Sequence, residues 1–142
     1  MKLKDIMTKD VATLNSEDTV ERAAHLMKQY NIGSVPVCSG EEIIGIITDR
    51  DIAVRSVAEG ENFKNQKVRD IMTSNPVIAN QDMDIHDAAR IMSERQIRRL
   101  PVVENKNIVG IISLGDLAVE NNLKDNAGEA LSNISEPSSP LM

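Results

Sequence analysis

The stretch Lys4-Asp5-Ile6-Met7-Thr8 recurs as Arg69-Asp70-Ile71-Met72-Thr73, 65 positions further along the chain. The same offset joins three further pairs of motifs without a gap: Ala23-Ala24 with Ala88-Ala89, Pro36-Val37 with Pro101-Val102, and Gly45-Ile46-Ile47 with Gly110-Ile111-Ile112. Chance similarity does not hold one register over such a length. The chain therefore contains two copies of one unit, each of about 50 residues.

The spacing of apolar residues predicts the secondary structure of each copy. In the first copy an extended run at 11–14 precedes a helix, one face of which carries Val20, Ala23, Ala24 and Met27 at helical spacing. The polar residues 15–19 are typical of a helix start, and Gly33 is predicted to end this helix. Two strands at 34–38 and 43–48 and a second helix from about 49 follow. The second copy repeats the order, with strands at 100–103 and 108–113 and a helix from about 114.

The predicted fold class is α/β (α+β), with each copy running strand, helix, strand, strand, helix. A unit of about 50 residues buries too little surface on folding to be more than marginally stable alone. The near-continuous apolar strand 43–47 also needs cover on both faces, and the sheet of the sister copy is the expected second cover. We therefore expect the two repeats to pack sheet to sheet with internal pseudo-two-fold symmetry, leaving paired clefts where they meet.

The repeat also predicts the domain bounds. They are 1–58 for the first repeat, 59–66 for a polar linker, 67–120 for the second repeat and 121–142 for a tail. The tail is rich in Asn, Ser, Pro and acidic residues, a composition typical of flexible segments. A short helix near 127–131 is an alternative within it.

Composition excludes several function classes. Sixteen basic against 22 acidic side chains give a net charge of −6, which argues against a nucleic-acid binder that relies on a basic surface. Tyr30 and Phe63 are the only aromatic residues, so base-stacking platforms are nearly excluded. No apolar run approaches the roughly 18 residues of a membrane span, and the first residues lack a signal-peptide core. We expect a cytoplasmic protein that contacts neither membrane nor nucleic acid.

A hydroxyl residue followed three positions later by an aspartate closes the second long strand of both copies. The pairs are Thr48 with Asp51 and Ser113 with Asp116. At a strand-to-helix junction, backbone N–H groups and the hydroxyl suit a phosphate, and the carboxylate can accept both hydroxyls of a ribose. The alternative is structural: the hydroxyls cap the helices and the aspartates favour the helix dipole.

Two adjacent arginines, Arg98 and Arg99, precede the strand of the second copy, where the first copy has Gly33-Ser34. Guanidinium groups entering a cleft would suit a phosphate. The alternative is a solvated pair that makes surface ion contacts.

The remaining candidates favour structural roles. His25 and His86 are not equivalent under the repeat and are predicted to be surface or half-buried helix residues. Cys38 is expected to be a small buried hydrophobic residue, and its lone occurrence excludes a disulfide framework. No nucleophile stands beside a base, no Gly-rich phosphate loop occurs and no metal site is predicted. We therefore do not expect an enzyme.

Taken together, the duplicated Asp-Ile-Met-Thr opening, the Pro-Val strand and the Gly-Ile-Ile-[Thr/Ser]-x-x-Asp ending resemble a tandem pair of CBS domains, a Bateman module. The likeness covers about residues 2–120. The chain is similar to the small stand-alone CBS-pair proteins of bacteria. The resemblance implies two clefts that bind an adenosine-containing ligand: AMP, ADP, ATP or S-adenosylmethionine. It implies no required cofactor and a flat homodimer formed through helices.

The resemblance also implies roles for individual residues. Asp51 and Asp116 would hold ribose hydroxyls, while Thr48 and Ser113 would hold phosphate or neighbouring polar groups. Arg98 and Arg99 match the family's basic position, which often reaches phosphate. The residues expected to flank the adenine or complete the walls are Val11, Ala12, Val77, Ile78, Ile32, Pro36, Ile97 and Pro101. Because Gly33-Ser34 supplies no cation, one of the two clefts is expected to bind weakly or to prefer a less charged ligand.

The leading hypothesis is a regulatory module that senses an adenosine-containing ligand. The alternative is a nucleotide-independent interaction module that acts on an unknown partner protein in trans. A nucleotide hydrolase is the third and least favoured hypothesis.

Overall fold

The two copies fold into the same succession of strands and helices. The computed structural model describes residues 1–119 and 124–135. The first copy contains a 3-10 turn at Leu3–Asp5, strand β1 at Leu14–Asn15, helix α1 at Val20–Tyr30, strands β2 at Ser34–Ser39 and β3 at Glu42–Thr48, helix α2 at Asp49–Ile52, and a π-helical continuation at Ala53–Val57. The second contains a 3-10 turn at Val68–Asp70, strands β4 at Thr73–Ser74 and β5 at Ala79–Asn80, helix α3 at Ile85–Arg95, strands β6 at Arg99–Glu104 and β7 at Asn107–Ser113, and helix α4 at Leu114–Ala118. A further helix, α5, spans Lys124–Ile134. The predicted mixed α/β class is confirmed.

Helices α1 and α3 form where apolar periodicity and capping residues coincide. The buried residues of α1 are Val20, Ala23, Leu26 and Met27, which lie along one face. The Thr19 hydroxyl accepts a hydrogen bond from the Arg22 backbone N–H at 3.2 Å and so caps the helix. In the second copy Asp84 takes the capping position and accepts from the His86 N–H at 2.8 Å.

The prediction that Gly33 ends α1 is wrong. The left-handed residue that closes the helix is Asn31, with φ of 52°, and Gln96 closes α3 in the same way with φ of 55°. Asparagine tolerates this conformation better than most residues with a side chain. Gly33 has a different role, because a Cβ at this position would lie 3.1 Å from Asp49 Oδ2.

The chain divides into two compact units that do not follow the repeats as continuous segments. The unit built on the first copy, here called the first-copy unit, comprises Ala12–Pro76 and Lys106–Ile108. The second-copy unit comprises Met1–Val11, Val77–Asn105 and the described residues from Val109 onward. The opening segment of each repeat has therefore exchanged places, so the bounds 1–58 and 67–120 describe the repeating sequence and not the compact units.

Equivalent backbone contacts hold the exchanged segments in both units. Leu3 N donates to Met83 O at 3.0 Å in the second-copy unit, and Val68 N donates to Asp18 O at 2.8 Å in the first-copy unit. Thr8 bridges to Ile111 of β7, while Thr73 of β4 pairs with Ile46 of β3. Every partner is displaced by the repeat offset, which shows that the exchange is a property of both copies.

Each unit has its own apolar core, and the exchanged segment contributes to it. Leu3 lies fully buried among residues of α3, β6 and β7, including Met92, Leu100 and Ile112. Val68 takes the matching place in the first-copy unit, among Val20, Val35 and Ile47.

The described part of the tail is helical, contrary to the predicted flexible segment. Helix α5 extends beyond the alternative short helix at 127–131 in both directions, and its Ala130 is fully buried. It packs on α3, where Gln96 Nε2 donates to Asn133 O at 2.8 Å and Asn133 Nδ2 donates to Ser93 Oγ. Positions 121–123 and 136–142, also assigned to the flexible tail, lie outside the described residues, as does position 120 at the end of the second repeat.

Candidate functional site

Thr48 and Asp51 form a reciprocal pair at the junction of β3 and α2. The Asp51 N–H donates to Thr48 Oγ1 at 3.1 Å, and the Thr48 N–H donates to Asp51 Oδ2 at 2.9 Å. Asp51 is only 8% exposed, and its Oδ1 lies 3.9 Å from an Arg55 guanidinium nitrogen. The pair is a capping box, which satisfies two backbone donors at the start of the helix.

Ser113 and Asp116 repeat this arrangement between β7 and α4. The two bonds measure 3.1 Å from Asp116 N to Ser113 Oγ and 2.8 Å from Ser113 N to Asp116 Oδ2. The structural alternative for these four residues, helix capping, is therefore confirmed. Each cap uses one carboxylate oxygen and the acceptor side of the hydroxyl, so the second oxygen of Asp116 and the hydroxyl proton of Ser113 stay available for a ligand.

The arginine pair is fixed beside this junction by a backbone bond. The Leu114 N–H donates to Arg98 O at 2.8 Å, which ties the segment before β6 to the first residue of α4. In the first-copy unit the Asp49 N–H donates to Gly33 O at 2.9 Å in the equivalent position. The two units thus share one backbone scaffold but carry different side chains on it.

Arg98, Arg99 and Ser113 converge on one cleft of about 590 Å³ in the second-copy unit. This volume falls within the roughly 300–1,000 Å³ typical of small-molecule sites. The other lining residues are Leu114, Gly115, Ala118, Gly128 and Leu131. The lining therefore combines two arginines and a serine with apolar residues.

Arg99 is the most informative residue of this cleft. Its side chain is half-buried, and its Nε is buried without a hydrogen-bond partner among the described residues. A buried donor that lacks a partner costs about 1–3 kcal/mol, so such groups need an explanation. Arg99 also lines the cleft, where its guanidinium group would suit a phosphate or carboxylate oxygen.

Sequence reasoning missed five of the eight lining residues. Leu114, Gly115 and Ala118 lie on α4, directly after the predicted Ser113, so their place on the chain was a usable signal. Gly128 and Leu131 belong to α5, which lies beyond the repeat. No motif pointed to them, because the first copy has no equivalent segment.

The remaining predicted wall residues do not line this cleft. In the second-copy unit Val77 and Ile97 pack against the core, Pro101 is buried in β6, Ile78 is exposed and Val11 is half-buried. In the first-copy unit Ile32 packs against the core, Pro36 is buried in β2 and Ala12 is half-buried. Their contact with a ligand stays a prediction.

The two histidines and the cysteine lie outside the cleft. His25 is exposed on α1, while His86 Nδ1 lies 2.9 Å from Asp84 Oδ1 at the exposed start of α3. The backbone N–H of His86 holds the pKa of Asp84 below its usual value. Burial raises the pKa of the Cys38 thiol, in agreement with the expected buried hydrophobic role.

Residues 1–119 and 124–135 contain neither a metal-binding cluster nor a membrane-spanning helix. No three His, Cys, Asp or Glu side chains there are grouped in a way that could hold a metal ion. No helix in these ranges has the length and apolar character needed to cross a bilayer.

Comparison with known proteins places the repeat in a family. The family model described as "CBS domain" matches residues 3–57 and 68–120. The CBS domain-containing protein YhcV of Bacillus subtilis is 45% identical over 133 residues, which cover 94% of both chains. The crystal structure of Hypoxic Response Protein I, with two coordinated zinc ions, superposes with a TM-score of 0.78 at 27% identity and covers 84% of this chain and 98% of its own.

A second solved structure shares the fold at lower identity. The CBS domain protein PAE2072 of Pyrobaculum aerophilum, complexed with AMP, has a TM-score of 0.78 at 21% identity, and the match covers 90% of this chain and 98% of its own. The two family matches coincide with the two copies of the repeat. The chain therefore belongs to the CBS-domain family and is a tandem CBS module.

Proposed function

We propose that this protein is a regulatory module that binds an adenosine-containing ligand, AMP, ADP, ATP or S-adenosylmethionine, in the cleft beside Arg98, Arg99 and Ser113. The observation that carries the proposal is the convergence of Arg98, Arg99 and Ser113 on a cleft of ligand size. Arginine side chains pair well with phosphate or carboxylate oxygens. The AMP complex of PAE2072 lends support only at the level of fold, as a protein of this architecture that holds such a ligand.

The proposal assigns the polar groups of the cleft to different parts of the ligand. Arg98 and Arg99 bind the anionic group, and the Ser113 hydroxyl donates to it or to a neighbouring oxygen. Asp116 is not one of the residues that line the cleft, but it caps the same helix start as Ser113, and we assign its second carboxylate oxygen to the ribose hydroxyls. In the first-copy unit Gly33 and Ser34 replace the arginines. Thr48 and Asp51 there would therefore bind a less charged ligand, or bind the same ligand with lower affinity.

Binding regulates only if it is coupled to a second state. A ligand shifts an equilibrium by no more than its difference in affinity between the two states. The bound form would act on a partner protein in trans, and we assign the module no catalytic step. The competing function is interaction with a partner protein without any ligand. It is favoured by the capping boxes, because helix capping alone accounts for the hydroxyl and carboxylate residues that both repeats share.

The decisive experiment is calorimetric titration of the full chain with AMP, ADP, ATP and S-adenosylmethionine, together with thermal unfolding. Ligand at about 100 times its Kd should stabilise the fold by about 2.7 kcal/mol. Arg99→Ala should weaken binding of the phosphorylated ligands by about tenfold or more, because charge-assisted hydrogen bonds contribute about 1.5–3 kcal/mol. Alanine at Asp51 or Asp116 is a poorer test, since it also removes a helix cap.

Arg90→Ala is the matched control, because it removes the same charge from an exposed position of α3 outside the cleft. It should leave every affinity unchanged. Failure of all four compounds to bind at millimolar concentration contradicts the proposal. A stoichiometric protein partner whose capture does not change with nucleotide would then favour the interaction function.

We further propose that the protein forms a homodimer through its helices, as the family resemblance implies. Val54 and Val57 lie three positions apart on the π-helical segment and are 46% and 63% exposed, which provides apolar surface for a second copy. Sedimentation velocity should give the mass of a dimer, and Val54→Lys with Val57→Lys should give a monomer. A monomeric wild type would contradict this assignment.

A further inference from the structure

Helix α5 contributes two residues to the cleft of the second-copy unit. Gly128 and Leu131 are three positions apart and so lie on one face of the helix. A Cβ at Gly128 would meet no atom within 4 Å, and Leu131 remains 45% exposed. This face of α5 therefore borders open space and is not filled by the core.

Contacts on other residues hold α5 in place. Ala130, next to Leu131, is fully buried, and the Asn133 side chain and carbonyl bond to Ser93 and Gln96 of α3. The apolar wall is thus attached to α3, whose buried face forms part of the core of the second-copy unit. Its position does not depend on a ligand.

The lining of the cleft combines polar and apolar side chains. Arg98, Arg99 and Ser113 supply the donors, while Leu114, Ala118 and Leu131 supply apolar surface. A ligand with an anionic group and an uncharged ring matches this combination, since the ring loses contact with water against the apolar side chains. A bare polyphosphate would use only the polar side chains.

We infer that α5 is a specificity-determining wall of this site, on which Leu131 and the backbone at Gly128 hold the uncharged ring of the ligand. The inference rests on the proposed function and deepens it. Because α5 has no equivalent after the first repeat, it also explains how two copies with one backbone scaffold can differ in the ligand they select. The second-copy site takes the ligand with a ring and a multiply charged tail.

The test compares ATP with tripolyphosphate, which has the same charged tail and no ring. Gly128→Leu places a side chain in the open space and should weaken ATP binding by about tenfold or more while leaving tripolyphosphate binding unchanged. Leu131→Ala should weaken ATP binding by about three- to tenfold through lost apolar contact. Both are measured by calorimetry on the full chain.

Gly128→Ala is the matched control, because one methyl group barely enters the cleft. It raises the helical propensity of α5, so its Tm should hold or rise. Gly128→Leu should also keep its Tm, since no packed atom is displaced. A retained Tm shows that α5 is still docked when ATP affinity falls.

The outcomes separate this inference from the proposed function. If Arg99→Ala binds neither ATP nor tripolyphosphate while the α5 variants bind ATP normally, the inferred role of α5 is wrong and the proposed function stands. An equal loss of affinity for ATP and for tripolyphosphate in Gly128→Leu also contradicts the inferred role of α5, because the substitution would then act by displacing the arginines. If the wild type binds neither compound, both the proposed function and this inference are contradicted.

Discussion

Gly110 illustrates how one position controls the contact between a strand and an exchanged segment. A Cβ there would lie 3.0 Å from the Thr8 carbonyl oxygen and still closer to the Met7 side chain. Gly45 has the same neighbours in the first-copy unit, with Thr73 O at 2.9 Å and Met72 beside it. Any larger residue would separate the backbone of the strand from the segment that crosses it.

We predict that Gly110→Ala destabilises the protein by about 1–3 kcal/mol, since the added methyl group overpacks against backbone that cannot move freely. Urea unfolding at neutral pH measures the change. Gly115→Ala serves as the control, because its Cβ would lie 3.6 Å from the nearest atom, at ordinary contact distance. Equal stability of Gly110→Ala and the wild type would show that the segment does not need this close approach.

The short helices α2 and α4 begin at reciprocal caps between side chains that are close in sequence. Because Thr48–Asp51 and Ser113–Asp116 each lie within one helical turn, their pattern was visible in the sequence. The end of α1 was not visible in the same way. Asn31 and Gln96 adopt the left-handed conformation although neither is a glycine. The prediction chose the nearby Gly33, whose carbonyl instead accepts a hydrogen bond from the Asp49 N–H.

At the scale of this element, Ser113→Ala should lower the free energy of unfolding by about 1 kcal/mol, the usual cost of a lost N-cap. Ser113→Thr should be close to neutral, because threonine already fills the equivalent position 48. Thermal unfolding of both variants measures the effect. A Ser113→Ala protein as stable as the wild type would mean that water replaces the cap at no cost.

The whole molecule is organised by the exchange of the two opening segments. Neither compact unit is made from one continuous stretch of chain, so residues near the start of the sequence complete the core built on the second copy. Long sequence separations of this kind carry a loop-closure cost that packing must offset. The repeat revealed two equivalent segments but could not assign either of them to a core.

Leu3→Ala should destabilise the second-copy unit by about 2–5 kcal/mol, because it leaves a cavity at a fully buried position. Hydrogen exchange should show faster exchange in α3 and β6 than in α1 and β2. Val68→Ala is the matched variant at the equivalent position and should reverse the pattern. Faster exchange of α1 in Leu3→Ala would contradict the exchanged arrangement.

Prediction of the candidate site was partial for a related reason. Arg98, Arg99 and Ser113 were singled out because each belongs to, or interrupts, a repeated motif. Gly128 and Leu131 were not, because α5 was expected to be a flexible tail. Its polar composition concealed a helix that is stabilised by contacts with Ser93 and Gln96, which no local pattern reports.

The sequence alone determined the duplication, the main strands and helices within each repeat, the capped starts of α2 and α4 and membership of a tandem module, because each depends on residues near one another along the chain. Only the tertiary structure decided which segment completes which core and which side chains meet in the cleft. Those outcomes depend on the fit of surfaces far apart in sequence. A linear pattern marks a buried face but does not name the surface that buries it.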